Sequence, residues 1–151
     1  MKSEKWVVGI GNPLRGDDGA GWAVVEALAE LTVGPMQTVC VHQLLPELLD
    51  TIHTAERVIF VDASVDGEPG SVMVTSIQPT PDGPASSHQL HPAVLLAMGG
   101  ELYGRMPPAT LITITGQDFG YQEQLSPPVQ QAVAAAVCQI EKMMQAKEPV
   151  L

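Results

Sequence analysis

The sequence predicts an α/β fold with three layers, in which a mostly parallel, twisted sheet of about five strands carries helices on both faces. Two observations lead to this prediction. Short runs of β-branched and apolar residues alternate with stretches of helical periodicity. Most of the strand runs are apolar throughout, which is typical of strands that are buried on both faces. Because we find no repeat and no linker, we expect a single domain over residues 1–151.

The strands are predicted from apolar runs that end at glycine or at polar residues. The fourth run alternates between apolar and polar residues, which indicates an edge strand. The five predicted strands span residues 6–10, 38–42, 57–62, 71–77 and 109–115.

The helices are predicted from apolar stripes and from their end signals. The first has Trp22, Val25, Leu28 and Leu31 on one face, and Asp17 or Asp18 would cap its start. Pro46 is expected to open the second helix, and Gly99-Gly100 to end the third. The fourth is striped by Val129, Val133, Val137 and Ile140. The four predicted helices span residues 18–31, 47–53, 91–98 and 127–146.

The charge balance argues against nucleic acid as a partner. Seven Lys and Arg stand against seventeen Asp and Glu, for a net charge of −10, and aromatic residues make up only 4%. A nucleic-acid surface needs cations for the phosphates and rings for the bases. A metal-bearing, basic or neutral protein is the more plausible partner, and an anionic membrane is not.

The two cysteines, Cys40 and Cys138, both lie in apolar stretches. This pattern favours reduced, buried thiols over a disulfide scaffold. The apolar run after Lys5 is too short for an export signal, and no run is long enough to span a membrane. We therefore expect a cytoplasmic protein, and a monomer because no apolar stripe is left over.

Three candidate site residues follow predicted strands or loops, namely Asp18, Asp62 and His88. In an open parallel sheet, ligands bind beyond the carboxyl ends of the strands. Two carboxylates and an imidazole there could hold a nickel or zinc ion. Each residue also has a plainer interpretation, since Asp18 could cap a helix, Asp62 could sit in a turn and His88 could simply be solvated.

The glycines after the first strand do not form a dinucleotide-binding fingerprint. That pattern requires glycine at position 14, where Leu14 stands, and an acid after the second strand, where His42-Gln43 stands. We also find no HExxH motif and no defensible spacing of serine, histidine and acid.

Three segments together resemble the hydrogenase maturation endopeptidases, and the resemblance spans nearly the whole chain. They are residues 9–21 (GIGNPLRGDDGAG), residues 60–63 (FVDA) and residues 88–90 (HQL), in the family's order and separation. The resemblance implies a phosphorylase/hydrolase-like fold. It also implies an aspartic-type endopeptidase that trims the C-terminus of the nickel-loaded large subunit of a [NiFe]-hydrogenase.

The family's metal-contacting positions fall on Asp18, Asp62 and His88, with Asp18 and Asp62 as catalytic candidates. The resemblance implies no tightly bound cofactor, because the nickel is contacted in the substrate, where zinc or cadmium could substitute. A substrate without metal would be rejected through lost ligation.

Residues 41–48 (VHQLLPEL) resemble the branch that serves bidirectional, NAD(P)-linked hydrogenases, whereas other branches carry an Asp-Gly-type segment there. We expect His42, Gln43 and Leu44 to help select the substrate, although an ordinary strand-to-helix turn would look the same.

Two alternatives stay open. Peptidyl-tRNA hydrolases share a Gly-x-Gly-Asn-Pro opening, but their catalytic His is missing from residues 17–22 here. A non-catalytic nickel-sensing or chaperone module could use the same three ligands.

Overall fold

The computed structural model describes residues 4–31, 36–82 and 90–145. Five strands form one sheet in the order β2-β1-β3-β5-β4. The pairings of β1 with β2, β1 with β3 and β3 with β5 are parallel, and only β4 runs antiparallel to its neighbour β5. The predicted α/β fold with a mostly parallel sheet is confirmed, and so is the edge position of the fourth strand. The strands are β1 (Lys5–Ile10), β2 (Met36–Val41), β3 (Arg57–Ser64), β4 (Val72–Ile77) and β5 (Ala109–Thr115).

Apolar residues cover both faces of the sheet, which explains why the parallel strands read as continuous apolar runs. Val7, Ile59 and Val61 point to a core shared with α1 and α4. Val8 and Phe60, one residue out of phase, point to a second core shared with α2 and α3. The helices are α1 (Ala20–Glu30), α2 (Leu48–Ile52), α3 (Pro92–Tyr103) and α4 (Pro127–Gln145).

The start of α1 differs from the prediction. A short 3-10 turn, Gly16–Gly19, precedes the helix, and Gly19 occupies the cap position without any side-chain hydrogen bond. The expected cap by Asp17 or Asp18 is therefore wrong, because both side chains bond elsewhere. The apolar stripe also differs, since Val24 is buried whereas Leu31 is 41% exposed.

The end of α3 also differs from the prediction. The helix runs through Gly99-Gly100 to Tyr103 and ends where Gly104 adopts a left-handed φ of 77°. Gly99 is needed inside the helix because a Cβ there would overlap the side chain of Met106. The prediction that Gly99-Gly100 ends the helix is therefore wrong, because Gly99 serves close packing inside the helix.

The two cysteines are free, but only one fits the expectation of buried thiols. Cys40 is partly buried, whereas Cys138 is exposed on α4. Within the described part of the chain, no helix is long and apolar enough to cross a membrane.

Two basic side chains bind the last turn of α4 at the end of the sheet where the parallel strands begin. Lys5 Nζ donates to the carbonyl of Met144 at 2.6 Å, and Arg57 Nη1 donates to that of Met143 at 2.9 Å. Cations are favourable at the C-terminus of a helix, so both side chains stabilise the last turn of α4.

Candidate active site

The strand order has a switch point at β1, because β2 lies on one side of β1 and β3 lies on the other. The crevice beyond such a switch point is where open α/β sheets bind ligands. The turn after β1 carries Asp18, and β3 carries Asp62, paired with Thr113 of β5 two residues before the strand ends. The topology therefore brings these two carboxylates to one crevice.

Glycines allow the turn after β1 to lie against the strand ends. Gly11 has a φ of 144°, and a Cβ there would overlap the carbonyl oxygen of Asp18. A Cβ at Gly21 would overlap the carbonyl oxygen of Val61, next to Asp62. The glycine pattern of residues 9–21 thus serves close backbone packing, which positions Asp18 beside β3.

Asp18 is held by the turn rather than by the helix. Its Oδ2 accepts a hydrogen bond of 2.8 Å from the backbone N–H of Asn12. Its own backbone N–H donates to the carbonyl of Arg15 at 3.1 Å. The side chain is partly buried, so its remaining oxygen lone pairs stay available at the crevice.

Asp62 has the most strongly perturbed carboxyl group of the site. Its pKa is raised from 3.8 to about 6, mainly by burial and in smaller part by the negative charge of Asp18, while the hydrogen bond from the Ala63 N–H opposes the rise. That N–H donates to Asp62 Oδ1 at 2.8 Å. The influence of Asp18 on this pKa places the two carboxylates within electrostatic reach of each other.

Asp17, beside Asp18, has a different role that sequence reasoning missed. It is fully buried, and its carboxylate accepts hydrogen bonds from the backbone N–H groups of Gln117, Asp118 and Ser126 and from the Ser126 hydroxyl, at 2.7–2.9 Å. Burial alone would raise the pKa of Asp17, but these bonds outweigh it and lower the pKa. Asp17 thus clamps the loop after β5 onto the turn that carries Asp18.

The segment after β2 lies beside this turn. The carbonyl of Val41 accepts from the backbone N–H of Gly11 and from the indole N–H of Trp22, each at 3.0 Å. The ring of Trp22 lies 5.2 Å from that of His42. The end of β2 is therefore tied to the elements that position Asp18.

The segment also borders a cleft of about 490 Å³. Its lining includes His42, Gln43 and Leu45. Leu44 instead lies in the core at 3% exposure, whereas Leu45 is 48% exposed. Direct contact of Leu44 with a partner is therefore excluded, and Leu45 presents the apolar side chain of this segment.

The third predicted ligand, His88, lies outside the described residues. Among residues 4–31, 36–82 and 90–145, no three His, Cys, Asp or Glu side chains are close enough to hold one ion. The described part of the site thus consists of a carboxylate pair, Asp18 and Asp62.

Comparison with solved structures finds the same fold in several proteins. The hydrogenase maturating endopeptidase HybD from E. coli is 25% identical, with a TM-score of 0.81 over 94% of this chain and 92% of that one. The [NiFe] hydrogenase maturation protease HycI from Thermococcus kodakarensis is 27% identical, with a TM-score of 0.75 over 96% and 94%. Comparisons with protein-family models and with curated proteins gave no match.

Proposed function

We propose that this chain is a hydrogenase maturation endopeptidase, which removes the C-terminal extension of the nickel-loaded large subunit of a [NiFe]-hydrogenase. The observation that carries the proposal is the pair Asp18 and Asp62 at the β1–β3 switch point, in a fold shared with HybD and HycI over nearly the full length of each chain. All three motifs of the sequence resemblance fit this function.

In the proposed mechanism the nickel belongs to the substrate and is the recognition element. Asp18 and Asp62 offer oxygen ligands, and His88 supplies a nitrogen ligand, a set that suits a borderline divalent cation. A substrate without nickel would leave two carboxylates facing each other without a cation between them. The unloaded precursor therefore lacks the ligation energy that the nickel-loaded precursor gains, and it binds more weakly.

Asp62 is our candidate for the group that activates the attacking water, as in an aspartic-type endopeptidase. A general base works best when its pKa is near the working pH, and burial brings the pKa of Asp62 to about 6. Its position within β3, with Ala63 N–H holding one oxygen, gives the rigidity that a base needs.

We further propose that residues 41–48 select the large subunit of a bidirectional, NAD(P)-linked hydrogenase. The support is their sequence, the exposed His42, Gln43 and Leu45 and the cleft that these side chains border. Exchange of residues 42, 43 and 45 for those of an Asp-Gly-type segment, with the buried Leu44 kept, should weaken cleavage of the native partner. It should leave the melting temperature within about 2 °C, because the exchanged side chains are exposed. Unchanged partner preference would reduce the segment to an ordinary turn.

We propose that this activity is located in the cytoplasm, on the basis of the free thiols of Cys40 and Cys138.

The decisive experiment incubates the protein with large-subunit precursor, with and without nickel, and measures the mass of the product. We expect a shortened product from the nickel-loaded precursor only. Asp62→Asn should abolish this cleavage, whereas Asp66→Asn, which removes the same charge from an exposed position, should not. Nickel-dependent binding without any cleavage would instead identify a non-catalytic nickel-sensing module.

A further inference from the structure

The end of the sheet that carries Asp18 and Asp62 has one cation among the residues that the structure describes. Lys5, Arg57 and Lys142 lie at the opposite end, around the last turn of α4. Arg105 precedes β5 and donates to the carbonyl of Ala55, also at that end. Arg15, in the turn after β1, is thus the exception in a strongly acidic protein.

The side chain of Arg15 is oriented by the loop after β5. Its guanidinium lies 5.3 Å from the centre of the Tyr121 ring, and its Nε donates to the Phe119 carbonyl at 3.4 Å. No carboxylate of the described residues pairs with it. An arginine stacked on a ring keeps its outer N–H groups free for a planar anion, and less entropy is lost when it binds one.

The backbone beneath Arg15 is also rigid. The N–H of Gly16 donates to the carbonyl of Gln122 at 2.7 Å, and the N–H of Gln122 donates to the carbonyl of Leu14 at 3.0 Å. The four hydrogen bonds to Asp17 fix the same two segments. The patch formed by Leu14, Arg15 and Tyr121, here called the Arg15 patch, is therefore preorganised.

The Arg15 patch has the composition of a protein-binding hot spot. Leu14 is 55% exposed and Tyr121 is 88% exposed. Tyrosine and arginine are, with tryptophan, enriched at the energetic centres of interfaces. The patch adjoins Asp18, since the carbonyl of Arg15 accepts the hydrogen bond from the Asp18 N–H.

We propose that Arg15, stacked on Tyr121, is a specificity residue that binds a carboxylate of the substrate polypeptide next to the cleavage site. The inference rests on the proposed function and adds a recognition element that is independent of the metal. An acidic site that attracts a metal cation repels a peptide carboxylate, and Arg15 is placed to reverse that repulsion locally. The carboxylate is either an acidic side chain of the removed extension or its terminal group.

The test measures cleavage of nickel-loaded precursor by Arg15→Gln, with Arg105→Gln as the control that removes an equal charge from the opposite end. We expect KM to rise about tenfold for Arg15→Gln, as for loss of a hydrogen bond to a charged group, with kcat changed by less than about twofold. Tyr121→Leu keeps the charge but removes the ring, and should raise KM about threefold. Thermal melts of all variants confirm that they are folded.

The source of the carboxylate is found with altered precursors and Arg15→Glu. Acidic residues of the extension are changed to Lys one at a time, and in a separate arm the terminal carboxylate is amidated. We expect one of these altered precursors to have a raised KM with the parent protein and an unaltered KM with Arg15→Gln. If the anion is a side chain, we also expect one Lys precursor to be cleaved better by Arg15→Glu than by the parent.

The outcomes separate this inference from the proposed function. If the parent cleaves and the KM of Arg15→Gln stays within about twofold of that of Arg105→Gln, the inference is wrong and the function stands. If the parent cleaves no nickel-loaded precursor, the proposed function is wrong, and the affinity of the same variants for the precursor decides the role of Arg15.

Discussion

Replacing Asp62 with Asn should stabilise the metal-free protein while it abolishes cleavage. The charged form of Asp62 is disfavoured in the folded state by burial and by the charge of Asp18, and its pKa lies at about 6 instead of 3.8. A difference of this size corresponds to about 3 kcal/mol of unfolding free energy at a pH above both values. Asn has the shape of the carboxyl group and keeps an oxygen for the Ala63 N–H.

The direction of the Asp62 pKa shift determines the pH range in which this carboxyl group destabilises the folded protein. Because the folded state holds the Asp62 proton more tightly than the unfolded state does, the penalty is absent below pH 3.8. It grows as the pH rises from 3.8 to about 6 and is complete above that. The lowered pKa of Asp17 acts in the opposite direction, and its contribution is lost only as the pH falls below 3.8.

The assay is urea unfolding of parent and variant in chelator at several pH values. Asp62→Asn should be more stable than the parent by about 3 kcal/mol at pH 7.5, or on the order of 10 °C in melting temperature, with little difference at pH 4. The control Asp66→Asn removes an exposed charge and should show no such pH dependence. A variant that is less stable than the parent at pH 7.5 would refute the reasoning, because Asp62 would then make stabilising contacts as a carboxylate.

Three further predictions concern the neighbouring groups. Asp17→Asn should lower the unfolding free energy by about 2–4 kcal/mol in urea unfolding, because it removes a buried charge that accepts four hydrogen bonds; a cost under about 1 kcal/mol would contradict the clamp. Asp18→Asn should melt within about 2 °C of the parent but lose cleavage, since an amide oxygen can still accept from Asn12. Elemental analysis of purified protein should find little nickel, because carboxylate and imidazole ligands without thiolate make an open site; stoichiometric nickel that resists chelators would argue against this.

The parts of the site that could be predicted from sequence are those that depend on strand ends. Asp18 and Asp62 follow or end apolar runs, and the carboxyl ends of parallel strands lie together whatever the exact topology. The close backbone approach that the glycines of residues 9–21 allow is known only from the structure. The parallel strands were predicted because their apolar runs are short, continuous and bounded by turn residues, and the edge strand because its residues alternate.

The errors arose where a local pattern was overridden by distant contacts. Asp17 and Asp18 were expected to cap a helix, but the partners of Asp17 lie 100–109 residues further along the chain. No local signal identifies such a bond. Likewise, which of Leu44 and Leu45 faces the core depends on the rotation of the chain as it leaves β2, and that is set by tertiary packing.

Three carboxylates in one small region are separated by their environments into different tasks. Asp17 is buried but fully hydrogen-bonded, so its pKa is lowered, and it remains charged and serves as a structural clamp. Asp62 is partly buried and receives one hydrogen bond from the described residues, that from the Ala63 N–H, so its pKa rises toward neutrality. Asp18 lies between them in the chain and contributes the charge that raises the pKa of Asp62 further. Groups whose pKa values are driven apart in this way are those expected to divide structural and chemical roles.

The clamp by Asp17 also ties the loop that carries Tyr121 to the turn that carries Asp18, so one buried carboxylate holds both the reactive pair and the Arg15 patch in place.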